Sequence, residues 1–388
     1  MKVAFYMTTI LEYYGGMEKR MIDVSSELAR KYPDLEITII TRDNDFTEKL
    51  NKFLAFIGWY KYNKSLLYKE SFWSICKKLW NIPYLKTSSF KEARDKLKEF
   101  DVVYSKNEIL EAIVFKCFIG YRNIKKLIFG CHTPPLYPWS SFTIKVRNFL
   151  YNSFVYKFFA SGVSRFHVIN TFQEILIKEL FPKALVCKIY NPFDYQSFRL
   201  KQQKYDYQII QDNRKKQLLW VARLTKQKWV KDLVEIIKSV NEIYAEQVEW
   251  TIIGSWEEEW VLENIKQYKN IRILWFVNQS FIPSLLSKHD LFLSTSHREG
   301  FPYNIIEAQS LWLYTLAYNI AWCNDIIHNK NNWLLFNSLQ EYLSGLCSLI
   351  WGEFVPPKKK AIMSTIMKLI NNDDLYNKLY FLIISEND

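Results

Sequence analysis

Glu299 and Glu307 bracket the segment of this 388-residue chain whose residue types say most about chemistry. It reads Ser296-His297-Arg298-Glu299-Gly300-Phe301-Pro302-Tyr303-Asn304-Ile305-Ile306-Glu307 and follows an apolar, strand-like run at 291–294. Gly300 permits a tight bend, and Pro302 suits the first position of a helix. Glu299 then belongs to the loop, and Glu307 lies about a turn and a half into the helix. The amides near 303–305 would favour an anion such as a diphosphate. Arg223 and Lys228, in Val221-Ala222-Arg223-Leu224-Thr225-Lys226-Gln227-Lys228, follow a second strand-like run at 218–222. A guanidinium fork and an ammonium point charge can hold that diphosphate and stabilise it as a leaving group without a metal. Taken singly, Glu307 could be an ordinary helix carboxylate and Lys226 plain surface basicity.

Two further constellations lie in the first half. Gly15-Gly16, inside Tyr13-Tyr14-Gly15-Gly16-Met17-Glu18, stand between a first strand and its helix and let backbone approach a ligand closely. No GxGxxG is present, which counts against a dinucleotide dehydrogenase. His132, in Cys131-His132-Thr133-Pro134-Pro135, follows the run 127–130. A histidine at a strand exit can bond a sugar hydroxyl or stabilise developing charge.

The elements that must position these residues are legible as alternation. Strand-like runs at 3–7, 36–41, 102–105, 127–130, 166–170 and 186–190 recur at 218–222, 250–254, 271–274, 291–294 and 315–318. Between them, Met17, Met21, Val24 and Leu28 form one apolar stripe of a helix, and Leu233, Ile236 and Ile237 form another. Such alternation predicts an α/β fold with parallel sheets joined by right-handed crossovers. The pattern pauses in a polar, charged stretch. We therefore expect an N-terminal domain over 1–195, a linker over 196–216, a C-terminal domain over 217–371 and a last helix within 372–388 that can cross back to the first domain. Two doubly wound, Rossmann-like domains would then face each other across a cleft, with ligands at the carboxyl ends of strands.

Composition narrows the classes. Hydrophobic residues make up 49% and charged residues 24%, an ordinary globular balance. No apolar run approaches the ~18 residues of a spanning helix, and the opening lacks a signal-peptide cleavage site, so a cytoplasmic protein is expected. The six cysteines are scattered, without a CxxC pair or a His cluster beside them, which disfavours zinc and a disulfide framework. The net charge is +12, but no nucleic-acid-binding motif accompanies it, and no nucleic acid partner is expected. Basic residues interleaved with aromatics over 49–98 instead suit an anionic membrane surface, as in a peripheral protein on the inner face of a membrane, or else a plain solvated face.

Together these features resemble glycosyltransferase family 4, retaining enzymes of the GT-B fold. The resemblance spans nearly the whole chain: Gly15-Gly16-Met17-Glu18, His132, Asn191-Pro192-Phe193-Asp194, Ala222-Arg223-Leu224 with Lys228, Ile253-Gly254, and Glu299-Gly300-Phe301-Pro302 with Glu307-Ala308. It implies that Arg223 and Lys228 hold the diphosphate of a UDP- or GDP-type nucleotide-sugar donor, and that Glu307 holds the ribose. It implies that Glu299 and the backbone of Gly300, Phe301 and Pro302 meet the transferred sugar, which His132 reaches from the acceptor domain. Gly15 and Gly16 would pack near the phosphates. No metal or other cofactor is implied. The acceptor would be a glycan or a lipid-linked sugar, as in cell-surface polysaccharide or glycolipid synthesis. The alternatives are another GT-B enzyme, such as a nucleotide-sugar epimerase, or an inactive sugar-nucleotide or membrane-surface binding homologue.

One departure stands out. The chain has 14 Trp and only 10 Gly. Trp229, Trp256, Trp275, Trp312, Trp322 and Trp333 stand where the family resemblance calls for glycine. An indole suits neither a close backbone approach nor a positive φ. These positions are the ones expected if the gene uses UGA for glycine and UGA has been read as tryptophan.

Overall fold

The computed structural model describes residues 1–7, 16–42, 82–106, 109–132, 149, 151, 154–255, 258–297, 299–320, 325 and 333–385. The chain divides into two compact units, Met1–Ile189 with Tyr376–Asp388, and Tyr190–Leu375. Most of the basic and aromatic stretch over 49–98 lies outside the described residues, as do Gly15, Trp256 and Trp322.

The first unit is built on β1 (Lys2–Tyr6), β2 (Glu36–Arg42), β3 (Tyr84–Thr87), β4 (Val102–Lys106), β5 (Leu127–Cys131), β6 (Arg165–Val168) and β7 (Leu185–Lys188). The sheet order is β3-β2-β1-β4-β5-β6-β7, and every described pairing is parallel. A parallel sheet carries helices on both faces, which is why the central strands read as continuous apolar runs rather than alternating ones. Val3, Ala4, Phe5 and Tyr6 are all fully buried. The helix Gly16–Lys31 buries Met21, Val24 and Leu28, the stripe expected from their spacing.

The last helix runs Asn372–Ile384, and its residues from Tyr376 onward belong to the first unit. Tyr380 stacks on Tyr32 at 4.1 Å between ring centroids and donates to Asp34 Oδ2 at 2.6 Å. The carbonyls at its end meet fixed cations. The buried guanidinium of Arg165 donates to Leu382 O at 2.7 Å, and Lys126 Nζ donates to Ile383 O at 3.0 Å. Cations on the orphan carbonyls of a helix end satisfy both the hydrogen bonds and the macrodipole.

The second unit holds β8 (Lys216–Val221), β9 (Val248–Ile253), β10 (Ile271–Leu274), β11 (Leu291–Ser294), β12 (Tyr314–Tyr318) and β13 (Trp333–Phe336), in the order β10-β9-β8-β11-β12-β13. All pairings here are parallel as well. The helix Val230–Tyr244 buries Val230, Leu233, Val234, Ile236, Ile237 and Val240 against this sheet. The stretch 196–216, expected as a linker, is structured. Asp194 caps a helix Tyr195–Lys204 by accepting from Ser197 N at 2.9 Å, and Tyr207 and Ile209 then pack on the second unit's core. Polar composition pointed to a linker there; the capping carboxylate and three apolar anchors, Phe198, Tyr207 and Ile209, override it.

Candidate functional site

In a doubly wound sheet the chain runs outward from a central strand, returns, and continues on the other side, leaving a crevice outside the strand ends at the reversal. In the second unit that reversal falls between β8 and β11, which are neighbours in the sheet. The loop after β8 carries Arg223 and Lys228, and the loop after β11 carries Ser296 to Glu299. The sequence alone therefore placed both loops at strand ends, and the topology makes them adjacent.

Lys228 Nζ is ion-paired to Glu299 Oε1, and the two side chains are only 12% and 8% exposed. The backbone of Lys228 is fixed as well. Thr295 Oγ1 donates to Lys228 O at 2.7 Å and accepts from Trp220 Nε1 at 3.1 Å, which ties the loop after β8 to the exit of β11. Asn304 Nδ2 donates to Val221 O at 3.2 Å, joining the following helix to the end of β8. Arg223 differs. Its side chain is exposed, and among the described residues it makes no hydrogen bond or ion pair. A free guanidinium in the same loop as a paired ammonium is an arrangement that can receive a polyanion.

The helix after the loop runs Tyr303–Ser310, with Pro302 at the cap rather than at the first helical position. Its first-turn amides are partly used internally. Tyr303 N donates to Phe301 O at 3.0 Å, and Ile305 N donates to Pro302 O at 3.1 Å and to Asn304 Oδ1 at 3.0 Å. The expectation that the amides of 303–305 all point at a ligand is corrected to that extent, because the tight Phe301-Pro302 bend turns carbonyls back onto them. Phe301 stacks on Tyr190 at 6.1 Å and meets Tyr303 edge-on at 5.2 Å. Glu307 lies one and a half turns in, and burial pushes its carboxyl up to about 7, with Lys201 pulling the other way.

A second cluster borders the Lys228 loop. His297 Nε2 meets Asp232 Oδ2 at 2.9 Å, and Tyr318 OH donates to the same oxygen at 2.7 Å. The Trp229 indole stacks on the His297 ring at 4.3 Å. Asp232 thus anchors the start of the helix Val230–Tyr244 to the loop after β11 and to β12. Nothing in the spacing of these residues announces this; it requires the β8-β11-β12 order.

In the first unit the reversal falls between β1 and β4. Gly16 opens the helix that follows β1. His132 follows β5 and belongs to a chain of hydrogen-bonded side chains. Tyr104 OH is 2.9 Å from His132 Nε2 and 2.6 Å from His167 Nδ1, and His167 Nε2 is 2.8 Å from Ile189 O. A carbonyl only accepts, so His167 Nε2 carries the hydrogen. Burial pulls His167 down to about 4, so its ring is neutral and Nδ1 accepts from Tyr104 OH. The Tyr104 oxygen then accepts from His132 Nε2–H, leaving Nδ1 as the proton-accepting nitrogen of His132. Tyr104 and His167 were not among the residues expected; a polar pair inside the buried strands β4 and β6 was the available signal.

Among the described residues, no group of three or more His, Cys, Asp or Glu side chains could hold a metal ion, and no helix is long and apolar enough to cross a membrane.

Comparison with known proteins follows the same lines. Residues 201–380 match the family model of group 1 glycosyl transferases. The capsular polysaccharide biosynthesis glycosyltransferase CapM of Staphylococcus aureus is 25% identical over 194 residues, 48% of this chain and 45% of the relative. The matched segment thus spans less than half of that relative's length. Among solved structures, Anabaena HepE in complex with UDP superposes with a TM-score of 0.67 at 15% identity, covering 98% of each chain. The lipopolysaccharide outer core galactosyltransferase WaaB gives a TM-score of 0.67 at 16% identity over 99% of each chain. Two parallel-sheet α/β units with these neighbours are the GT-B fold, and residues 201–380 carry the similarity to the group 1 glycosyl transferases.

Proposed function

We propose that this chain transfers a sugar from a UDP- or GDP-type nucleotide sugar to a glycan or lipid-linked acceptor, with retention of anomeric configuration, in the synthesis of a surface polysaccharide or glycolipid. The observation that carries the reading is the Lys228–Glu299 ion pair across the β8/β11 reversal, with exposed Arg223 in the same loop as Lys228. Cleaving a glycosyl phosphate bond develops negative charge on the diphosphate, and fixed cations stabilise it. Arg223 supplies a bidentate fork, and Lys228 supplies an ammonium already oriented by Glu299 and by the Thr295 bond to its backbone. With those two cations the reading needs no metal or other cofactor. Glu307 is assigned to the ribose, and Glu299 with the backbone of Gly300 and Phe301 to the transferred sugar. By analogy with family 4, the leaving phosphate takes the acceptor's proton on the face from which the sugar departs.

The relatives support the class of donor and product. HepE is described in complex with UDP and with UDP and glucose, and CapM is named for capsular polysaccharide biosynthesis. One observation favours an inactive homologue instead: the Trp229 indole lies next to Lys228 in the chain, in the loop where a donor would dock. Incubation with radiolabelled UDP- and GDP-sugars and a lipid-linked acceptor tests the proposal. Transfer that is lost in Arg223→Ala is expected. Equal turnover in that variant would remove the site assignment.

A further inference from the structure

The described residues with positive φ outside the extended region are five: Gly120, Gly254 and Gly352, and two tryptophans, Trp229 and Trp312. In left-handed backbone a side chain crowds the following carbonyl, so non-glycine residues are uncommon there and Asn, Asp and His predominate among them. Tryptophan fills only 14 of the 388 positions. That both non-glycine cases are tryptophan is not a chance expectation.

Local geometry makes each case a glycine position. The helix Tyr303–Ser310 ends in a Schellman motif: Leu313 N donates to Ala308 O at 3.0 Å and Trp312 N donates to Gln309 O at 3.0 Å. These are the two bonds of that motif, and the residue at position 312 is the left-handed one, at φ 70°. Glycine occupies that place because it has no Cβ. Trp229 sits at φ 50°, ψ 55°, between the short turn Lys226–Lys228 and the helix Val230–Tyr244. It supplies no side-chain cap to that helix, where Ser, Thr, Asp, Asn or Gly is favoured.

Other tryptophans behave as tryptophans. Trp220 and Trp250 are 2% exposed on β8 and β9, and each indole N–H is bonded, to Thr295 Oγ1 and Asn241 Oδ1 at 3.1 Å. The excess is therefore of two kinds, one on ordinary strand backbone and one on left-handed backbone that favours glycine. Trp275 and Trp333 are not left-handed and carry no part of this argument.

We infer that positions 229 and 312 are glycine in the protein as its own cell makes it, encoded by UGA codons that this sequence renders as tryptophan. The codon UGA differs from the glycine codon GGA at one base, so a tRNA change of modest extent reassigns it. The consequence for position 229 rests on the donor-site reading above. With glycine there, the stack on His297 is gone and backbone can approach a diphosphate held by Lys228. The consequence for position 312 does not depend on function at all.

The test has two arms. In the gene, UGA is expected at 229 and 312 and UGG at 220 and 250. Peptide mass spectrometry of the protein from its native source is expected to show glycine at 229 and 312; tryptophan at either position overturns the inference. In protein made by a host that inserts tryptophan at UGA, Trp312→Gly is expected to raise the melting temperature by about 2–4 °C. An unchanged or lower value contradicts the backbone argument. Trp229→Gly is expected to tighten UDP or GDP binding roughly tenfold. Glycine at both positions with no nucleotide binding in any variant would sink the transferase reading and leave this inference standing.

Discussion

Lys228 and Glu299 form an ion pair that bridges the loops after β8 and β11, and neither side chain is more than 12% exposed. Breaking such a pair on one side leaves a buried charge without compensation, which costs about 3–5 kcal/mol, whereas removing both partners costs far less. Lys228→Ala is therefore expected to lose transfer and also much of the stability of its unit. Lys228→Ala combined with Glu299→Ala is expected to regain most of the stability while staying inactive. Urea unfolding of the four proteins of the cycle measures the coupling, and additive single effects would contradict the pair.

Arg223 separates binding from stability. Its side chain is exposed and makes no hydrogen bond or ion pair among the described residues. Its replacement by Ala is expected to shift unfolding free energy by less than about 0.5 kcal/mol. Affinity for a nucleoside diphosphate should fall, because a bidentate phosphate contact is lost. Calorimetric titration with UDP and GDP checks both statements together with a melt.

Glu307 predicts a pH dependence. Its carboxyl is raised from 4.5 to about 7 by burial. A carboxyl raised in the folded state binds its proton more tightly there than in the unfolded chain, so stability is fully present below about 4.5 and is lost as pH rises through about 7. The span corresponds to roughly 3 kcal/mol. Glu307→Gln is expected to flatten the slope between pH 5 and 8 and to be the more stable protein at pH 8. Equal slopes in the two proteins, measured by urea unfolding, would contradict the raised value.

Tyr104 is expected to act as a positioning residue. It holds His132 Nε2 and His167 Nδ1 at 2.9 and 2.6 Å. Tyr104→Phe removes the bond that sets the His132 tautomer, and about ten- to a hundred-fold in transfer rate is expected to go with it, without change in donor affinity. Nitrogen-15 spectra of the imidazoles report the tautomer directly. An unchanged His132 signal with lowered activity would assign Tyr104 a merely structural role.

Legibility in the sequence followed the physics of burial. Central strands such as β1, β4, β8 and β11 announce themselves because both faces are covered and the apolar runs are continuous. The runs at 166–170 and 186–190 were recognised but set one residue late at the start, β6 beginning at Arg165 and β7 at Leu185. The edge strands β3 and β13 escaped. Tyr84–Thr87 has only one buried residue, Thr87, and edges are kept short and polar to avoid pairing with other chains. Arg223, Lys228, Glu299 and Glu307 were legible because strand exits concentrate chemistry. Asp232, Tyr318 and Tyr104 were not, since each acts through a partner far away in sequence and only the sheet order brings them together. The oddity of Trp312 was visible as composition, but its reason, a left-handed residue closing a helix, is a property of backbone.

The central claim is that the crevice at the β8/β11 reversal holds a nucleotide-diphosphate sugar. Thermal shift with a panel of UDP and GDP and their sugars tests it most directly, applied to the chain with glycine at 229 and 312 and to its Arg223→Ala variant. A ligand present at a hundred times its dissociation constant stabilises by about 2.7 kcal/mol. A clear rise in melting temperature with at least one nucleotide, lost in Arg223→Ala, is the result predicted. No shift with any member of the panel, or an equal shift in both proteins, would contradict the claim.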